Sequence, residues 1–281
     1  MTQTILVVGA TGMLGEPVAR QLQKDGYQVR ALTRNRHLAQ TKLGDSFEIV
    51  EGDVENPSSV ERALDGCFGV HLNLGGGERT VHLGAMHVAL LAARLGVERV
   101  TFLSDVFISS KTFSLPHLRA KLMAEEAIRE SGAPYSIFRL CPLMEAVSQM
   151  ASTRQKHTLP KTTLAYHWVA ARDYARMVSK AYQLPEAANK RFFIFGPEPL
   201  TLVEAFERFR ELVNPDLKIE PVANGLLSLK AKLSLDSNFK HLVKTMELQK
   251  KFGAFGDPAE TNSLLGAPTT TFDEWCREQR R

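Results

Sequence analysis

The sequence predicts a doubly wound α/β protein built on a parallel sheet, with a smaller, mainly helical C-terminal lobe. Three observations carry that expectation. Short β-branched runs alternate with helical patterns through the first half, a glycine-rich turn joins the first run to the first helix, and Gly, Pro or Asp punctuates the steps that follow. A chain of 281 residues is long enough for one main core with an appendage, since separate cores become usual only above roughly 250 residues.

Thr4 to Val8 reads as the first strand, followed by a helix over about Met13 to Lys24 and a second strand over Gln28 to Leu32. Glu48 to Val50 is a third strand, and Pro57 suits the first position of the short helix after it. Gly69 to Leu74, a helix over His82 to Leu95, and Val97 to Leu103 continue the alternation. A helix over Leu118 to Glu130 then leads to the strand Tyr135 to Leu140. Beyond Pro142 the rhythm loosens. Asp173 can cap a helix through Tyr182, Arg191 to Phe195 looks like a strand, and Thr201 with Glu204 forms a capping box. From Asn214 onward the pattern is helical and less regular.

Composition narrows the function classes. With 44% hydrophobic and 23% charged residues the chain is ordinary globular material, neither disordered nor low in complexity. Lys plus Arg is 35 and Asp plus Glu is 31, so the net charge of +4 implies no nucleic-acid partner. The densest basic stretch, Lys240 to Lys251, interleaves Lys240, Lys244, Lys250 and Lys251 with Leu242, Val243, Met246 and Leu248, as the solvated face of an amphipathic helix does. Phe239, Leu242, Val243 and Met246 read as the core of a lid, a role that can coincide with a hydrophobic substrate wall. Cys67, Cys141 and Cys276 lie far apart with no C-x-x-C, which suggests neither disulfides nor a metal site and fits a reducing compartment. The N-terminus lacks a basic segment before Ile5, and the longest apolar stretch, around Ala85 to Ala93, is interrupted by His87. Neither a signal peptide nor a membrane span is expected, and the cytoplasm is the expected location.

Gly9-Ala-Thr-Gly12-Met-Leu-Gly15 follows the first strand and opens the first helix, the setting that a phosphate-binding loop requires. Its glycines allow the tight turn and the close approach of pyrophosphate, while backbone N–H groups and the helix dipole attract negative charge. Gly9, Thr11, Gly12, Met13, Leu14 and Gly15 are therefore expected to hold a dinucleotide in a Rossmann-type core over residues 1–145. Residues 146–281 would complete that core and form the substrate lobe. Which dinucleotide binds is decided after the second strand, where the chain reads Leu32-Thr33-Arg34-Asn35-Arg36-His37. No carboxylate stands there for a ribose 2′-hydroxyl. Arg34, supported by Arg36 or His37, offers charge-assisted hydrogen bonds to a 2′-phosphate, so NADP(H) is favoured over NAD(H).

Several segments together resemble the NmrA-like branch of the atypical short-chain dehydrogenases/reductases. They are the glycine loop, Val29-Arg-Ala-Leu-Thr-Arg34, Gly52-Asp53-Val54, Val97 to Ser104, Lys121 with Glu125, Tyr135 to Arg139, and Leu264-Leu-Gly-Ala-Pro-Thr-Thr-Thr-Phe272. The resemblance covers nearly the whole chain and is weakest over about 145 to 165 and 215 to 255. It implies that Asp53 and Val54 lie against the adenine and that the loop Asn73-Leu-Gly75-Gly-Gly77 passes the nicotinamide ribose. Asp53 also suits a turn before Asn56-Pro57, and the glycines of that loop also suit plain flexibility.

Active members of the superfamily resembled here use Tyr-x-x-x-Lys on one helix face, the Lys holding the ribose and lowering the Tyr pKa. This chain reads His117-Leu-Arg-Ala-Lys121. The tyrosine is missing. His117 can stand in as a proton donor, though the Lys121 cation one turn away disfavours imidazolium and makes it a neutral hydrogen-bond donor at pH 7, or it can only cap the first turn after Pro116; Lys121 can touch the ribose or only pair with Glu125. Ser104 resembles the serine that polarises a substrate carbonyl, with Ser109 or Ser110 as alternatives. Cys141, where the family often has Gly, reads as a small buried residue or a redox sensor. The expected function is an NADP(H)-dependent oxidoreductase acting on a small apolar carbonyl or quinone. The alternative is a catalytically weak or inactive NAD(P)H-binding redox sensor with a regulatory protein partner.

Overall fold

The computed structural model describes residues 2–153, 156–223, 225–228 and 237–280, without the side chains of 237–239, 241 and 242. It divides into two compact units. The first comprises residues 1–140, 171–194 and 257–266; the second comprises 141–170, 195–256 and 267–281.

In the first unit, seven strands are described: β1 Thr4–Val8, β2 Gln28–Thr33, β3 Glu48–Glu51, β4 Gly69–Leu72, β5 Arg99–Asp105, β6 Tyr135–Leu140 and β9 Lys190–Ile194. They form one parallel sheet in the order β3-β2-β1-β4-β5-β6-β9. This is the expected doubly wound Rossmann-like sheet. The order reverses direction between β1 and β4, and ligands of such sheets bind outside the carboxyl ends of the strands at that switch.

Ile5, Leu6 and Val7 are fully buried, as a central strand covered on both faces requires. The helices are α1 Gly15–Lys24, α2 Arg36–Leu43, α3 Pro57–Leu64, α4 Glu78–Arg94, α5 Pro116–Glu130, α7 Ala171–Gln183 and the short α10 Ala259–Leu265. α3, α4 and α5 pack in succession, while α1 packs on α7. Leu6, Val8, Val70, Leu72, Val100 and Phe102 meet Val60, Val88 and Ala124 in one apolar cluster.

Toward α7 the alternate side chains are partly polar. His71 Nδ1 lies 2.8 Å from Thr101 Oγ1, which lies 2.9 Å from the Tyr182 hydroxyl. Complete burial pushes the His71 imidazole down to about 3. An unfolded chain binds this proton below about 6.5, whereas the folded chain refuses it until about pH 3. The stabilisation is thus full above pH 6.5 and falls by about 1.4 kcal/mol per pH unit below it. Urea unfolding at pH 7 and pH 5 is expected to show that loss, and His71→Leu to flatten it.

The second unit contains α6 Met144–Thr153, α8 Leu202–Leu212, α9 Ser237–Phe252 and α11 Phe272–Glu278. It also has two small sheets, β7 Lys156–Lys161 parallel to β11 Lys218–Ala223, and β8 Ala165–His167 antiparallel to β10 Pro199–Thr201. Thr201 and Glu204 form the expected reciprocal cap of α8.

Several boundaries correct the sequence reading. The first helix begins at Gly15, not Met13, because the glycine loop runs on to Leu14. α4 starts a turn early, capped by Gly77. Asp173 is not an N-cap, since Ala171 and Arg172 are already helical; its carboxylate sits in the first turn, favourable toward the helix dipole. β11 replaces the helix expected after Asn214, drawn into extended form by pairing with β7.

Candidate functional site

The site residues of the first unit gather at the carboxyl ends of neighbouring strands. Register aligns Val8 of β1 with Leu72 of β4 and Leu72 with Phe102 of β5, so the segments starting at Gly9 and Asn73 leave the sheet side by side while β5 runs on, paired to β6, as far as Asp105. Gly12 N–H donates to Gly9 O at 3.0 Å, closing the loop into a tight turn. Gly9 has φ +78°, and a Cβ there would stand 2.2 Å from Asn73 O. A Cβ on Gly15 would stand 2.0 Å from Gly9 O, so both positions exclude any side chain. Gly12 differs, because its Cβ would meet Gly9 O at 3.2 Å and Asn73 Nδ2 at 3.4 Å, tight yet tolerable.

α1 starts beneath this turn with Leu14 at its cap and no side-chain hydrogen bond there; Glu16 N–H turns back to Gly12 O at 3.1 Å, and Pro17 has no N–H to give. Thr11 and Met13 are at the loop surface, Met13 40% exposed, while Leu14 turns inward. Lys42, from the last turn of α2, donates to Thr11 O at 3.0 Å and places a cation beside the loop. The sequence reading missed Lys42, since nothing local signals that α2 brings its end back to the glycine loop.

Arg34 emerges exposed from the end of β2. With Asn35, Arg36, His37, Gln40 and Glu51 it lines an open depression. Asn35 caps α2 through Leu38 N–H at 2.9 Å. Arg36 donates to Ile49 O at 3.0 Å, which ties it to β3; His37 is exposed. The acidic member of the depression, Glu51, comes from β3 rather than from the end of β2. Asp53 accepts from Glu55 N–H at 2.9 Å, so its carboxylate closes the turn before α3. Val54 is 7% exposed and packs on Gly84 of α4, where even a Cβ would come within 2.8 Å. Its side chain packs toward the core at Gly84. Glu55 receives Thr80 Oγ1 at 2.6 Å and Arg79 Nε at 2.9 Å; these bonds, with Arg34 adding to them, hold its carboxyl below the usual range.

Asn73 is half-buried with its N–H donated to Val8 O at 3.1 Å, and Gly75, Gly76 and Gly77 are exposed beyond it. At the end of β5, Ser104 is 2% exposed and donates its hydroxyl proton to Glu125. A hydroxyl that gives its proton to a buried carboxylate has none for a substrate carbonyl while that bond is made. Ser109, one alternative, forms a reciprocal cap with Thr112; Ser110, the other, is exposed. Glu125 also departs from expectation. Instead of forming a surface pair with Lys121, it receives Arg139 Nε at 2.9 Å and Nη2 at 2.7 Å in a buried bidentate pair.

His117 and Lys121 share one face of α5, His117 exposed in the first turn and Lys121 half-buried. Lys121 Nζ reaches Ser104 O at 3.5 Å. Burial lowers the Lys121 pKa, opposed by Asp105 and Glu125. The structure thus brings Gly9, Gly12, Gly15, Asn73 and Lys121 to one edge of the sheet, with Arg34 and Asp53 at neighbouring strand ends.

Residues 1–276 match the NmrA-like family. The chain belongs to the NmrA-like family. It is 29% identical over 240 residues to the photosystem II assembly factor Ycf39 of Cyanophora paradoxa, spanning 80% of this chain and 74% of that one. It is 26% identical over 282 residues to the (4-alkanoyl-5-oxo-2,5-dihydrofuran-3-yl)methyl phosphate reductase of Streptomyces griseus, spanning 98% and 97% of the two chains. Among solved structures, the NADPH-dependent quinone oxidoreductase of Escherichia coli complexed with NADPH has the same fold, with a TM-score of 0.77 and 20% identity over 98% of this chain and 99% of that one.

In the second unit, Cys141 is buried at 3% exposure. A cavity of about 220 Å³ there is lined by Pro160, Leu164, Tyr166, Leu227, Val243 and Met246 among others. The side chains of Phe239 and Leu242 lie outside the described residues. Among the described residues, no helix is long and apolar enough to cross a membrane, and no cluster of His, Cys, Asp or Glu could hold a metal.

Proposed function

We propose that this protein is an NADP(H)-dependent oxidoreductase that reduces a small apolar carbonyl or quinone in a reducing compartment such as the cytoplasm. The observation that carries the reading is the uncapped start of α1 beneath a bare Gly12, with Arg34 at the end of β2 where an NAD-binding chain would place an acid. Gly9, Thr11, Gly12, Met13, Leu14 and Gly15 hold the pyrophosphate, and Lys42 adds charge beside them. Arg34 pairs with the 2′-phosphate, Asp53 borders the adenine, and Asn73 with Gly75 flanks the nicotinamide ribose. Lys121 donates to ribose hydroxyls. His117 delivers a proton from the same helix face. The bound cofactor supplies the hydride. A reductase among the relatives supports the reaction type, and an NADPH-dependent quinone oxidoreductase among the structural neighbours supports the quinone arm.

Arg34→Ala is expected to weaken NADPH binding by about tenfold to a hundredfold, the range for hydrogen bonds to a charged group, and to leave NADH binding nearly unchanged. Calorimetry with both nucleotides checks this.

A second reading has specific support. The tyrosine is replaced by His117 and the Ser104 proton is committed to Glu125, which fits a dinucleotide-binding sensor that engages a regulatory protein without turnover. An assembly factor among the relatives supports the same reading. NADPH oxidation by the purified protein against a panel of quinones and aldehydes separates the two. Turnover supports the reductase; tight binding without turnover supports the sensor.

A further inference from the structure

Behind the His117–Lys121 face of α5 lies a buried charge cluster with no assigned part in the proposed reaction. Glu125 is 1% exposed and accepts from three donors: Arg139 Nε, Arg139 Nη2 and the Ser104 hydroxyl. Arg191 of β9 stands 3.9 Å from the same carboxylate. Arg139 Nη1 donates to Ile108 O at 3.3 Å, so the pair also holds the loop that follows β5. Ser104 closes the circuit, giving its hydroxyl to Glu125 while its carbonyl receives Lys121. One residue at the end of β5 is therefore touched by both members of the Lys121/Glu125 helix face.

An ion pair needed only for stability could be replaced by apolar residues of similar volume. Here the carboxylate stands one helical turn from an ammonium that burial disfavours, and an opposite charge nearby is what keeps such a group charged. The charged groups acting on Lys121 are Asp105 from the end of β5 and Glu125 on α5 itself, with Arg139 of β6 and Arg191 of β9 paired to Glu125, and His117 stands one turn back on the same helix. Asp105, the larger of the two charges that oppose burial, is half-buried and accepts from Phe107 N–H; Glu125, the smaller, is held in place by its three donors.

We propose that Glu125 is a positioning residue: clamped by Arg139 and Ser104, it fixes Lys121 at the end of β5 and keeps its ammonium charged. The use of that ammonium in holding the cofactor ribose rests on the function proposed above.

The test follows lysine ¹³Cε shifts by NMR in the cofactor-free protein across alkaline pH, the Lys121 signal being identified by its loss in Lys121→Arg. In Glu125→Gln the Lys121 midpoint is expected to fall by about one pH unit or more. Glu125→Gln/Arg139→Gln removes both charges, leaves no buried unpaired guanidinium, and is expected to show a smaller fall. The alkaline limb of NADPH affinity should move with the midpoint. An unmoved Lys121 midpoint in the folded double variant and in Glu125→Gln would overturn the proposal, because a merely structural pair changes melting alone. A moved midpoint combined with unchanged NADPH affinity in Lys121→Ala would support the Glu125–Lys121 coupling and overturn the ribose assignment.

Discussion

A valine at Gly12 is expected to weaken NADPH binding by about a thousandfold, from micromolar to millimolar or about 4 kcal/mol, while the sheet stays folded. The loop distinguishes its three glycines. At Gly12 a Cβ meets Gly9 O at 3.2 Å and Asn73 Nδ2 at 3.4 Å, contacts that small shifts relieve, and the branched methyls would fill the space where pyrophosphate must approach the backbone. At Gly15 the clash is with backbone at 2.0 Å, and at Gly9 it is 2.2 Å with φ in the left-handed region. Gly15→Ala should therefore melt well below the parent, whereas Gly12→Val should melt close to it and lose the upward shift that NADPH gives the parent. If both variants melt equally low, Gly12 serves the fold and the phosphates lie elsewhere.

His117→Ala is expected to lower kcat by about two to four orders of magnitude, the usual share of a positioned general acid, with NADPH affinity unchanged. His117 is exposed in the first turn of α5, one turn ahead of Lys121, and the Ser104 hydroxyl is spent on Glu125. The imidazole is therefore the side chain on that face to which the proposed reaction assigns the proton transfer. Steady-state kinetics with whichever quinone or aldehyde the panel shows to be reduced, beside a direct NADPH titration, separates chemistry from binding. Full activity in His117→Ala would assign the proton to water or another side chain and leave the cofactor site untouched.

The central sheet was legible because each of its strands is a short apolar run bounded by turn chemistry, and the glycine loop because its spacing is local. What could not be read depends on contacts distant in sequence. Glu125 and Arg139 are fourteen positions apart on a helix and a strand, so Glu125 looked like half of a surface i, i+4 pair until the sheet brought Arg139 beneath it. β7 contains Pro160 and few apolar residues, and its partner β11 lies 62 positions on in register, so neither run signals a strand alone. Val54 reads the same whether it faces a ligand or the core; Gly84, thirty positions away, decides for the core.

Calorimetric titration of the unmodified chain with NADPH and with NADH tests cofactor binding at this loop most directly. NADPH is expected to bind at least about tenfold more tightly than NADH, the margin that one charge-assisted contact from Arg34 supplies. Equal affinities, tighter NADH, or no heat with either nucleotide would contradict an NADP(H) site formed by the glycine loop and Arg34.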